Sequence, residues 1–161
     1  MRFGSDRDIS LMVNIGRELL HDIIEQEVLY HKLSLEDTDV NLYGESLSKS
    51  YWNAVKLNCL ITRGDQIIDI QEFGPDLGRE ASFAFIRQDL TDKNVVPEVG
   101  DILEWHNDFY EVDTVKENQL FLGSDNKYNL QSSTAGYGRS MSIVVDCHLT
   151  RADRVGLAES R

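Results

Sequence analysis

Apolar and polar residues alternate along this chain with two different periods. From Ile9 to Ile24, Leu11, Met12, Ile15, Leu19, Leu20 and Ile23 recur at helical spacing, with Ser5, Asp6 and Ser10 upstream as capping residues. One amphipathic helix therefore opens the chain. Val28 to Leu33 is richer in strand formers and reads as either a late turn of the helix or a first strand, the strand being favoured. Leu33 to Ser50 is polar, has little period and holds Leu42-Tyr43-Gly44-Glu45. It is expected to be a long extended loop, and ordered loops of that length usually carry function.

The strand period takes over from Ala54. Val55, Leu57, Cys59 and Ile61 fall on one face while Lys56, Asn58 and Thr62 fall on the other, which predicts a half-buried strand. Arg63-Gly64-Asp65 reads as a turn, Ile67 to Ile70 as a short apolar segment, and Phe73 to Gly78 as a second turn before a main strand around Phe83. Gln88 to Asn94 is a polar connection, and Pro97, which lacks a ladder donor, suits the beginning of a strand. Gly100 to Gly123 predicts a meander of three short strands, Ile102–Trp105, Phe109–Val115 and Gln119–Leu122, with turns at His106-Asn107-Asp108 and Lys116-Glu117-Asn118. Its core side is Leu103, Trp105, Tyr110 and Val112. Met141, Ile143, Val145, Cys147 and Leu149 alternate with polar residues in a last strand, after a Ser-, Gly- and Asn-rich loop.

Strands in succession without βαβ alternation make a parallel sheet improbable. The fold class expected is mainly β with an N-terminal helix (α+β), a small antiparallel β-barrel or sandwich with long loops. The 161 residues suit a single domain. Within it lie the helix at 9–24, an antiparallel core at 54–149, extended loops at 33–50 and 124–140, and a C-terminal arm at 150–161.

Charge sharpens the picture. Sixteen Lys and Arg face 28 Asp and Glu, a formal net charge of −12, which argues against a protein that wraps nucleic acid electrostatically. The excess is uneven. Pro97 to Leu130 holds eight acids against Lys116 and Lys127, a net of −6, whereas Gln131 onward is at +1. Such polarity suits head-to-tail assembly, in which unlike patches meet between copies. No stretch approaches the roughly 20 apolar residues of a membrane span, and Met1 to Leu20 carries charges where a signal peptide needs its apolar core. No membrane partner is expected. Cys59 and Cys147 each sit in an alternating apolar run and are expected to be buried free thiols.

Signatures of chemistry are sparse. There is no GxSxG, GxxxxGK[ST], GxGxxG or HExxH pattern. The densest polar cluster is Glu104, His106, Asp108, Glu111 and Asp113. It has the residue types of a divalent-cation site or an acid–base pair; the plainer reading is the solvated face and tip of a hairpin. Asp146 and His148 share one strand face but have no distinguishable nucleophile beside them. Trp52 is a candidate interface anchor or a core residue. No catalytic residue, cofactor or metal is expected.

The order of several short motifs resembles a known family. The opening helix, Leu42-Tyr43-Gly44-Glu45, Phe73-Gly74-Pro75 before the Phe83 strand, Pro97-Glu98-Val99-Gly100-Asp101, Tyr110-Glu111-Val112 and Leu122-Gly123 are similar to neck, or head-completion, proteins of T4-like contractile-tailed bacteriophages, especially their cyanophage members. The resemblance covers most of Glu18 to Tyr128. It implies a non-enzymatic virion protein of the head–tail junction, present in the host cytoplasm during assembly. It further implies a homo-oligomeric ring, a hexamer, that contacts other neck or portal-adaptor proteins and the tail terminator. Double-stranded DNA would pass through the ring without sequence recognition. Under this expectation Leu42, Tyr43, Gly44, Glu45, Trp52, Arg151 and Arg154 are candidates for subunit or partner interfaces, and Glu104, Asp108, Glu111 and Asp113 for an acidic lumen or surface. A tail-side ring component, either a tail terminator or a tail-completion protein, and a small metal-dependent enzyme are the alternatives.

Overall fold

The computed structural model describes residues 6–38, 49–71, 74–120 and 140–157. The opening helix α1 runs Asp6–Glu18 and continues as a π-helical turn, Leu19–Ile24, closed by Glu25 in the left-handed region at φ 49°. Strands follow at β1 (Glu27–His31), β2 (Leu33–Ser34), β3 (Ser50–Tyr51), β4 (Val55–Asn58), β5 (Leu60–Gln71) and β6 (Gly74–Ile86). A short helix α2 (Arg87–Asp92) leads to β7 (Ile102–Trp105), β8 (Asp108–Leu120), β9 (Ser140–Thr150) and the helical turn α3 (Ala152–Val155).

Seven strands form one antiparallel sheet in the order β4-β1-β7-β8-β9-β6-β5, and β2 with β3 forms a small separate hairpin. β4 and β5 occupy opposite edges, yet only Cys59 separates them in the chain. The sheet must therefore roll until its edges meet end to end. No ladder joins β4 to β5, so the result is sandwich-like rather than a closed barrel. The expected mainly β fold with an N-terminal helix is the one observed.

Period-two burial fills the inside of the roll. Val28 pairs with Leu57, Tyr30 with Leu103, Leu103 with Tyr110, Val112 with Cys147 and Phe83 with Val145, and every one of these side chains is buried. Phe83 meets Tyr110 edge-on at 5.5 Å, the offset geometry aromatic quadrupoles favour. Leu90 of α2 and Val95 complete this core. Cys59 and Cys147 are buried free thiols, as expected; burial pushes the Cys59 thiol up to about 12. A second, smaller cluster lies on the outer face, where Val155 packs on Ile102 and Phe109 beside Tyr51 and Leu157. The chain end is thus docked through α3 at least as far as Leu157.

Several sequence expectations are corrected. Arg63-Gly64-Asp65 is not a turn: β5 runs through it with a bulge between Arg63 and Gln66, and Gly64 fits because a Cβ there would come 3.2 Å from the Glu80 carbonyl oxygen. Gly74 to Gly78 belongs to β6, Gln88 lies in α2, and Pro97 precedes β7 by several residues. The meander has two strands rather than three. Lys116-Glu117-Asn118 is crossed by β8 with a register shift, since pairing to β9 continues on both sides of it. The turn at His106-Asn107 is as expected, with both residues at positive φ (52° and 67°), the type I′ geometry of a two-residue hairpin. The 124–140 loop, except Ser140 at the start of β9, lies outside the described residues.

Candidate functional site

The four carboxylates of the expected acidic surface do not act together. Ile102, Leu103, Glu104 and Trp105 are all buried, because β7 is covered inside by the main core and outside by α3 and Tyr51. Glu104 was expected on a solvated face; it is 5% exposed, sharing the outer face with Ile102 and lying 3.2 Å from His31 Nε2. It is therefore neither lumen nor surface in the isolated chain. Alternation correctly puts Glu104 opposite Leu103, but both faces of this strand are covered.

The other three stay nearer the surface, and each carries its own cation or donor. Arg79 donates to Asp108 at 3.1 Å, Lys49 to Glu111 at 2.6 Å, and His148 Nδ1–H to Asp113 at 2.8 Å. Asp113 is the residue left out of the ladder by the bulge between Val112 and Thr114. Among the described residues no group of three or more His, Cys, Asp or Glu could hold a metal ion. His148 and Asp146 do not form a relay: His148 faces Asp113, whereas Asp146 accepts from Ser82 at 2.7 Å and Thr114 at 3.1 Å and is paired with Lys116. The Lys116 ammonium, followed by the Ser82 hydroxyl, holds the Asp146 carboxyl below its usual range.

The candidate interface residues are described only in part. Leu42, Tyr43, Gly44 and Glu45 lie outside the described residues. Trp52 is 57% exposed beside β3, its amide donating to the Lys32 carbonyl at 2.9 Å, so it is not a core residue. Arg151 is exposed at the start of α3, and Arg154 falls within that turn. Trp52 follows Tyr51, which packs beside Val155, so Trp52 and α3 belong to neighbouring segments of the outer face.

An apolar surface on α1 is the more conspicuous one. The apolar stripe of an amphipathic helix ordinarily packs on a core. Instead Leu11, Met12, Ile15, Leu19 and Ile23 are between 48% and 73% exposed, and of that stripe only Leu20 is buried. The helix docks by its other side. Arg17 Nε lies 2.8 Å from Asp89 and Arg17 also donates to Asp92 at 3.0 Å, while His21 Nε2–H donates to Asp89 Oδ2 at 2.8 Å. Asp89 is 4% exposed on α2 and is the anchor of this clasp. No local motif marks it, but an acid inside a short polar connection facing Arg17 and His21 at helical spacing is the signal that could have found it.

A cleft of about 280 Å³ lies between β1, Lys56 and the His106-Asn107 turn, with Glu104 and Trp105 also in its lining. No helix among the described residues is long and apolar enough to cross a membrane.

No protein-family model matches this chain. No curated protein matches it. Among solved structures, a chain of a particle described as the virion of a native gene transfer agent is similar over 78% of this chain and 94% of its own length, with 8% identity and a TM-score of 0.45.

Proposed function

We propose that this chain is a structural protein of a phage virion with no catalytic role, and more specifically a neck component that forms a ring of about six copies between head and tail. The observation that carries the structural role is the outward apolar face of α1, while the ring rests on the motif order. Five large apolar side chains in one contiguous patch are costly to leave in water, and such patches mark protein–protein contact. A second feature of the fold also invites a neighbour. Residues 66–71 of β5 pair only with 74–79 of β6, so this ribbon extends past the part of β6 that is held by β9. A two-stranded ribbon is marginal alone and gains from a neighbour. The neck assignment itself comes from the motif order described above, of which Pro97 to Asp101 and Tyr110 to Val112 lie within the described residues.

Mass spectrometry of purified particles, with antibody labelling of the intact virion, tests this. Labelling at the head–tail junction is the expected result. Placement in the capsid lattice or tail fibres, or absence from particles, removes the proposal. Labelling at the distal side of the tail junction favours the tail-side alternative, which shares the ring geometry.

A further inference from the structure

Leu11, Ile15, Leu19 and Ile23 recur every four residues, and Met12 sits beside them. In a regular α-helix such a row drifts slowly around the axis, but the wider π-helical turn from Leu19 brings Ile23 back towards line. At 1.5 Å per residue the result is a ridge roughly 18 Å long. Its exposure is not an accident of a loosely placed helix. Gly16 lies against Met141 and Ile86, where a Cβ would come 3.4 and 3.6 Å from their side chains, Leu20 is 6% exposed, and Arg17 and His21 are clasped by Asp89. The side of the helix that could have faced the body is already committed.

The rim of the ridge states what fits it. With Arg17 and His21 paired to α2, the exposed charges on and just after this helix, among those whose exposure is described, are Arg7 against Asp8, Glu18, Asp22 and Glu25. Two copies meeting ridge to ridge would bring these acidic rims together in a chain that already carries −12. We infer that the α1 ridge docks into an apolar groove, rimmed by Lys and Arg, on a different protein of the same particle. This rests on the virion proposal above and names the chemistry of the partner at that surface.

Ile15→Cys provides the test, because the native thiols Cys59 and Cys147 are 0% and 2% exposed and stay silent to maleimide. In the isolated full chain Cys at this position should label at the rate of an exposed thiol, independently of protein concentration. A helical peptide of roughly five turns with a Leu ridge and Lys flanks should slow labelling by about tenfold or more at saturation, and the same peptide with Glu flanks should not. Reversing the rim with Glu18→Lys and Asp22→Lys should exchange the two peptides' effects. Slow labelling at every concentration would mean that the chain covers its own ridge; slow labelling only at high concentration would make a second copy the occupant. Equal protection by both peptides, or protection by phosphatidylcholine vesicles instead, would show that the rim does not select a basic protein groove. Any of these results overturns the inference while leaving the particle-labelling test of the virion proposal unaffected. Leu11→Cys repeats the measurement at a second exposed position, so a folding defect in one variant does not decide it.

Discussion

At the scale of single residues, Asp101 shows how one buried side chain fixes a neighbourhood. It is 1% exposed and accepts from the Leu33 amide at 2.9 Å, the Glu98 amide at 2.8 Å and the Tyr30 hydroxyl, tying β1 and its continuation to the segment before β7. Burial and this carboxylate push the Tyr30 hydroxyl well above its ordinary range. Asp101→Ala leaves buried donors without an acceptor and is expected to cost about 3 kcal/mol, read by denaturant unfolding; a loss no greater than that of an exposed acid such as Glu117→Ala would disprove the role. Asp146 provides the pH dependence. Its folded pKa lies below the unfolded value, so its contribution is complete above the ordinary aspartate pKa of about 3.9 and fades as pH falls through the folded value. Asp146→Asn should therefore be less stable than wild type near neutrality, and the two should converge in strong acid. Parallel stability curves across that range would exclude it. Asp101 does not announce itself in the sequence. Asp101 looks like one more acid of the −6 segment and Glu104 like another, because local pattern reports which face a side chain takes and not what later covers that face.

Among the elements, α1 is the case in which periodicity is legible and orientation is not. The spacing from Leu11 to Ile23 gives the helix, but the partner of its apolar face is decided by Asp89 and Gly16, which are brought together only by the fold. The strands divide in the same way. β9 and the Phe83 strand follow from alternation, and the His106-Asn107 turn from its residue types. β8 crosses Lys116-Glu117-Asn118, a sequence with every local mark of a turn, because β9 supplies a ladder on both sides of it. The clasp of α1 has a measurable consequence. Asp89→Ala removes the carboxylate that faces both Arg17 and His21, and with Arg17 36% exposed the loss should be about 2 to 3 kcal/mol, at the low end for a broken buried pair. Because α1 rests on few other contacts, the loss should be local. Hydrogen exchange should accelerate in residues 6–24 while the amides of β6, β8 and β9 keep their protection. Uniform acceleration through the sheet would mean that α1 is part of the cooperative core.

For the molecule as a whole, net charge and local charge act in opposite directions. A chain at −12 repels phosphate at long range, which suits a wall past which DNA slides. Yet the carboxylates nearest the β7–β8 hairpin do not stand alone: Asp108 holds Arg79, Glu111 holds Lys49 and Asp113 holds His148. Neutralising them therefore removes negative charge and also exposes the cations they held. The triple variant Asp108→Asn, Glu111→Gln, Asp113→Asn moves the formal charge only from −12 to −9, one unit per substitution. The change in its affinity for DNA should exceed what three units of net charge produce, because Arg79 and Lys49 each lose the carboxylate that neutralises them, on opposite faces of β8. Stability should fall little, since pairs of this exposure contribute about 1 kcal/mol or less each. The measurement is retention of double-stranded DNA by wild type and variant across a salt series. Wild type is expected to show none at physiological ionic strength, and the variant weak retention at low salt that vanishes as salt rises, with a slope near one released counterion for each face. Retention by the wild type, or an unchanged variant that is still folded, would mean that these carboxylates do not govern the approach of DNA.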